Sequence, residues 1–356
     1  MALPARTPFA PIASLLRLSS RYGVSIWRLH IFALMMLRDA LTEPLRQMNH
    51  AWRPENPPLQ DDPIFVLGHW RSGTSHLQTL LSADPQFTTS TLFDSLLSDV
   101  APVAPWLKGP LNRTARLLGV PYSLQRKPLN FDIPAESDIA LLCQHSDASY
   151  SWGHIFPLNF EEWLDRWVLN LDDQRAAAWL EDQNRFLRQI SAAAQGRRMI
   201  VKSPGDTGRV RWLLRQYPDA RFVYIHRDPI AVFHSNRYFW SVIRREYSLH
   251  HLSDDQVDSL ILRTYPKLLE RYVADRPLIP RGHLVEIDHA DLRDDPIGEL
   301  TRIYRSLNLG TLPPEVQTTV QGFPRHRPTR YPDDPQLEEQ LRSEWAIGFT
   351  EWIARR

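Results

Sequence analysis

Along the chain, apolar residues gather in short continuous runs and in longer stripes of helical spacing. Four runs stand out, at 63–68, 198–202, 220–226 and 283–287. Short apolar or β-branched runs bounded by turn residues read as strands buried on both faces. Between them, Leu77, Leu80 and Leu81 recur at helical spacing and predict a helix over 74–82. Further helices are predicted over 161–194, 207–216 and 297–307. Asp228-Pro229 opens another, with Asp228 as N-cap and Pro229 at the first helical position. Strands alternating with helices predict an α/β fold with a P-loop-like central parallel sheet flanked by helices.

The first part of the chain follows a different pattern. Residues 1–60 read as a helical N-terminal extension and linker, and 61–356 as the α/β domain. The linker Trp52-Arg53-Pro54-Glu55-Asn56-Pro57-Pro58 is too rich in proline to continue a helix. Residues 24–37 form the most hydrophobic segment, interrupted by Arg28 and His30. It falls short of the ~20 apolar residues that a spanning helix needs. A core helix is one reading. Peripheral membrane contact is the other, because Ile31, Phe32, Leu34 and Met35 cover more than one face. No secretory signal is expected at the start, where prolines and Arg17 break the apolar stretch. Residues 101–134, with many prolines, read as loops and short helices forming a wall of a substrate site.

Composition narrows the function classes. The 356 residues carry a net charge of +1, with 23% charged and 43% hydrophobic residues, as an ordinary globular protein does. Near-neutral charge argues against nucleic acid as a partner. The single cysteine, Cys143, excludes an internal disulfide and suits a reducing, cytoplasmic setting. It sits in an apolar run and reads as core. No metal site is signalled: His250-His251 are adjacent rather than at ligand spacing and read as a solvated pair.

The chemistry lies where the strands end. The strand at 63–68 runs into Gly68-His69-Trp70-Arg71-Ser72-Gly73-Thr74-Ser75, a glycine-bounded loop that opens a helix. Backbone N–H groups and a helix N-terminus there face an anion. Gly68 and Gly73 have the G-x-x-x-x-G spacing, but Thr74 stands where the nucleotide-binding lysine would follow, and Arg71 places a charge inside the loop instead. Lys202-Ser203-Pro204 ends the second run. His226-Arg227-Asp228-Pro229 ends the third, with Ser235 further along the helix. Ligands of open parallel sheets bind at these carboxyl ends, so the three segments are expected to converge on one anion.

In this order and spacing, R-S-G-T-S at 71–75, V-K-S-P at 201–204, and R-D-P at 227–229 with Ser235 resemble the sulfotransferase family that uses 3′-phosphoadenosine 5′-phosphosulfate (PAPS). The likeness covers roughly 62–310, including the late segment 284–296. It is nearest to the bacterial-type branch related to tyrosylprotein sulfotransferases. The resemblance implies that Ser72, Gly73, Thr74 and Ser75 cradle the 5′-phosphosulfate. Arg71 contacts the 5′-phosphate or the moving group, Lys202 sits near the bridging oxygen, and Arg227 with Ser235 holds the 3′-phosphate. Arg330, in the basic run 325–331, is expected to close over the phosphates. Glu136 is the first choice as catalytic base, from Phe131-Asp132-Ile133-Pro134-Ala135-Glu136, and Asp94 the second; His145 and His76 are weaker. Asp206 stands where many relatives carry histidine, which points to altered substrate contacts at that loop tip. No Golgi anchor is seen, which argues against a secreted-protein acceptor. The implied function is sulfuryl transfer from PAPS, without a metal, to a hydroxyl of a small-molecule, lipid or sugar acceptor. Two rivals remain: a P-loop small-molecule kinase, which lacks its lysine after Gly73, and a non-catalytic nucleotide-binding protein. Trp70, Trp152 and Trp240 read as core before they read as an acceptor pocket.

Overall fold

A computed structural model describes residues 11–52, 56–125, 127–144, 147–323, 331 and 334–353. The chain forms two compact units, one of Met1–Pro58, Ser90–Gln195 and Phe239–Ser253, the other of Leu59–Thr89, Gly196–Tyr238 and Asp254–Arg356. The segment expected as a helical extension groups with two later stretches in the first unit.

That first unit is largely helical. Helices α1 (Ile12–Tyr22) and α2 (Leu29–Trp52) are joined through a 3-10 turn at Ile26–Arg28. α1 turns Leu15 and Leu18 inward, and α2 turns Ile31 and Met35 inward. Two of the four residues expected to face a membrane are therefore core. On the inner side of α2, buried Arg46 pairs with Asp39 and Glu43. Leu92, Phe93, Leu97 and Phe131 anchor one core cluster. The helix expected over 161–194 divides into Phe160–Leu164, a π-helical turn Asp165–Leu169, and Asp173–Ala193, which starts where Asp172 accepts the Arg175 N–H at 2.8 Å. Cys143, Trp152 and Trp240 are buried. His250 is buried too, against expectation, and its Nδ1 accepts the Leu158 N–H at 3.4 Å. Among the described residues no helix is long and apolar enough to cross a membrane.

The second unit holds the sheet. Its strands are β1 (Ile64–Leu67), β2 (Phe87–Thr88), β3 (Arg198–Lys202), β4 (Arg221–His226) and β5 (Leu284–Asp288). They lie in the order β2-β3-β1-β4-β5, all parallel. β1 is buried throughout, which explains its unbroken apolar run. Its register sets Val66 beside Lys202 and Leu67 beside Tyr224, so the ends of β1, β3 and β4 share one edge. Helix α3 (Thr74–Leu81) packs Leu77, Leu80 and Leu81 on one face with Ile64, Val66, Val223 and Ile225. On the other face, Phe65 stacks on Phe222, with centroids 5.7 Å apart. The remaining helices used below are α4 (Pro229–Glu246), α5 (Asp254–Asp275) and α6 (Pro296–Ser306).

Candidate functional site

The loop between β1 and α3 owes its shape to three residues with positive φ: Gly68 at 145°, Arg71 at 70° and Gly73 at 109°. The two glycines are required by space as well as by angle. A Cβ on Gly68 would lie 2.5 Å from the Ile225 carbonyl oxygen, and one on Gly73 would lie 2.5 Å from His289 Cδ2. Arg71 carries a side chain in a left-handed conformation that such residues seldom adopt. Gly73 caps α3 without any side-chain cap bond. The first-turn N–H groups of a helix have no intrahelical carbonyl partner, and the helix dipole adds positive potential there. This donor set fits a phosphate- or sulfate-like anion.

Side chains from the neighbouring strand ends hold the loop's outer polar groups. Thr207 Oγ1 accepts the Gly68 N–H at 2.9 Å and donates to the Gly68 carbonyl at 3.2 Å. Asn236 Nδ2 donates to the Trp70 carbonyl at 3.1 Å, and the same carbonyl lies 3.0 Å from His69 Nδ1. Arg227 Nη1 donates to the Arg71 carbonyl at 3.1 Å. Arg71 Nε donates to Ser235 Oγ at 3.0 Å. Ser72 Oγ turns back to the His69 carbonyl at 2.8 Å. A backbone that would otherwise be strained is thus pinned from both β3 and β4.

The cations gather at the same edge. Lys202 ends β3 and is buried, in register with Val66. Arg227 follows β4, and Asp228 caps α4 by accepting the Ala231 N–H at 2.8 Å. Arg71, Lys202, Arg227 and the α3 N-terminus therefore share the carboxyl edge around β1, where the strand order reverses and open sheets place their ligands. His69 is uncharged in this setting: burial lowers its pKa to about 4. Its ring packs against Tyr265, 5.0 Å between centroids.

A family model for sulfotransferases matches residues 63–313, from the start of the sheet to beyond α6. The chain belongs to the sulfotransferase family. It is similar to omega-hydroxy-beta-dihydromenaquinone-9 sulfotransferase Stf3 of Mycobacterium bovis and of Mycobacterium tuberculosis, with 27% identity over 254 residues. Those matches cover 71% of this chain and 64% of the relatives' length. Among solved structures, sulfotransferase STF9 from Mycobacterium avium aligns with a TM-score of 0.71 at 18% identity over 97% of both chains. STF1 from Mycobacterium tuberculosis H37Rv aligns with a TM-score of 0.66 at 21% identity over 94% of this chain and 90% of that one. At these identities the structural likeness concerns the fold.

Against that family pattern, Arg71 to Ser75, Lys202, Arg227 and Ser235 all fall in the sheet unit. Glu136 and Asp94 fall in the other unit, on either side of one backbone bridge between Thr91 and Pro134. Asp94 closes a capping box: its carboxylate accepts the Thr91 N–H at 2.8 Å and the Thr91 O–H at 2.6 Å. Glu136 is half-buried at the start of Ser137–Cys143 and caps no N–H there. Arg330 and His145 lie outside the described residues. Asp206 is fully buried and paired with buried Arg209 at 3.3 Å. Its carboxylate is turned into the protein there, three residues from its partner in the chain. Arg237 is engaged by Asp258 at 2.6 Å, and Trp70 is buried. Thr207 and Asn236 were not legible as site residues. Their only signal is a small polar side chain close after a strand-end motif.

Proposed function

We propose that this protein transfers a sulfuryl group from PAPS to a hydroxyl of a small-molecule or lipid acceptor. The observation that carries the reading is the double link from β4 to the loop: Arg227 on the Arg71 carbonyl and Ser235 on the Arg71 guanidinium. It joins the residues expected at the 3′-phosphate to those expected at the 5′-phosphosulfate as one connected cationic surface. The bound donor supplies an activated sulfuryl group on a phosphate leaving group. Ser72 to Ser75 and the α3 amides bind the 5′ end. Arg227 and Ser235 bind the 3′-phosphate, and Arg330 joins them on sequence grounds. Arg71 and Lys202 offset the negative charge that grows on the leaving phosphate as transfer proceeds. Arginine's several donors suit the phosphates.

Glu136 takes the acceptor's proton in this account. The acidic segment Phe131-Asp132-Ile133-Pro134-Ala135-Glu136 that nominated it supports the choice. A lipid alcohol is favoured because the Stf3 relatives carry the name of a menaquinone-derived lipid. Such an acceptor resides in a bilayer, and peripheral contact through residues 24–37 accompanies the reading. A reducing cytoplasm suits a chain whose one thiol, Cys143, is buried. The test is incubation with radiolabelled PAPS, and in parallel with radiolabelled ATP, and a panel of hydroxyl acceptors, with masses read on labelled products. Labelled product from a lipid or small alcohol, formed about a hundredfold more slowly by Lys202→Ala, is expected. No transfer to any acceptor, with label transferred instead from ATP, would reject the assignment.

A further inference from the structure

We propose that the outer face of α2 is a docking surface for a bilayer carrying anionic lipid. The inference rests on the membrane contact proposed above and moves it to a different set of side chains. Leu29, Ala33, Leu37, Leu41, Pro44 and Met48 are all exposed. At 100° per residue they fall on one side of the helix, a stripe about 28 Å long at 1.5 Å rise per residue. Leu41 is 70% exposed. The 3-10 turn at the head of α2 extends the stripe with Ile26 and Trp27, 72% and 79% exposed. Ile31 and Met35, by contrast, are core.

Charge selects the occupant. The acids of α2 are Asp39 and Glu43, and both are engaged by Arg46 away from the stripe. At the Trp27 end, Arg28 Nη1 donates to the Arg245 carbonyl at 3.3 Å, and Arg244 is its like-charged neighbour; Arg245 pairs with Glu246 at 2.9 Å, so three arginines stand against one acid there. A long apolar face without acids, headed by an exposed indole and a group of arginines, is the make-up of a helix lying in a membrane interface. A surface with anionic headgroups matches both parts.

Flotation of the full chain tests this, with vesicles of phosphatidylcholine alone and with about a third phosphatidylglycerol. Wild type is expected to float with the anionic vesicles and to be released by high salt. The double variant Leu37→Ser/Leu41→Ser should lose about tenfold or more of its bound fraction, because each change removes an apolar side chain from the buried face. Both positions are exposed, so its thermal unfolding and its binding of 3′-phosphoadenosine 5′-phosphate should match wild type. A wild type that stays with the unbound fraction on both vesicles would overturn membrane contact altogether. A wild type that floats equally with its double variant would overturn this face while leaving contact through the other side chains of 24–37 standing. Sedimentation showing a dimer that the double variant splits would assign the stripe to a second copy instead. None of these readouts depends on sulfuryl transfer.

Discussion

Arg71 concentrates the chemistry of the loop in one residue. Its backbone sits at φ 70°, its carbonyl is held by Arg227, and its guanidinium is held by Ser235. The presence of a cation inside a glycine-bounded loop was legible from the sequence. The bonds that hold it were not, because Ser235 is 164 positions away and Thr207 is 139 positions from Gly68. Lys202→Ala is expected to lower kcat by about a hundredfold, as the loss of a group that acts on developing charge does. Its Kd for 3′-phosphoadenosine 5′-phosphate should change far less, and single-turnover kinetics beside calorimetry separate the two. His69 gives a pH prediction. Its folded pKa, about 4, lies below the ordinary 6.5, so the unfolded chain takes up the proton first as pH falls. Stability from this residue is complete above about pH 6.5 and declines toward pH 4, by up to about 3 kcal/mol. His154, lowered by burial to about 3, acts in the same direction. Denaturant unfolding of His69→Gln across that window should show a shallower acid loss than wild type.

At the scale of elements, the four long strands were readable because burial on both faces demands continuous apolar runs. β2 was not, since two residues carry no alternation. α5 was missed although Val257, Leu260, Ile261, Thr264 and Leu268 form its buried stripe. Pro266 within it and the acids at its start break the apparent pattern, and packing overrides them. The turn of α3 is where element and site meet. Gly73→Ala should cost about 1–3 kcal/mol through its positive φ and the His289 contact, and weaken nucleotide binding with it. Thr207→Val leaves the Gly68 N–H without its partner, a loss of about 1–3 kcal/mol. Chemical denaturation of both variants, with and without 3′-phosphoadenosine 5′-phosphate, checks this. A Thr207→Val protein as stable as wild type would remove the clamp from the account.

At the scale of the whole molecule, the segment beyond the family match packs against the sheet unit through its aromatic side chains. Trp345 stacks on Tyr265 at 3.9 Å, and Tyr265 meets His69 in the loop. Trp352 stacks on His226 at 4.4 Å, beside the end of β4. Nothing in the spacing of these aromatics along the sequence disclosed the contacts, which join residues far apart in the chain. Trp345→Ala should destabilise the protein by about 3–5 kcal/mol, read as a lower denaturant midpoint. In the proposed function one cationic edge binds both ends of a 3′-phosphorylated nucleotide. Calorimetry of wild type and Arg227→Ala tests it most directly, with 3′-phosphoadenosine 5′-phosphate, its analogue lacking the 3′-phosphate, and ATP. The 3′-phosphorylated ligand should bind wild type most tightly, and Arg227→Ala should erase most of its advantage over the analogue. Tighter binding of ATP by wild type, or equal losses for both adenosine ligands in Arg227→Ala, would contradict the account.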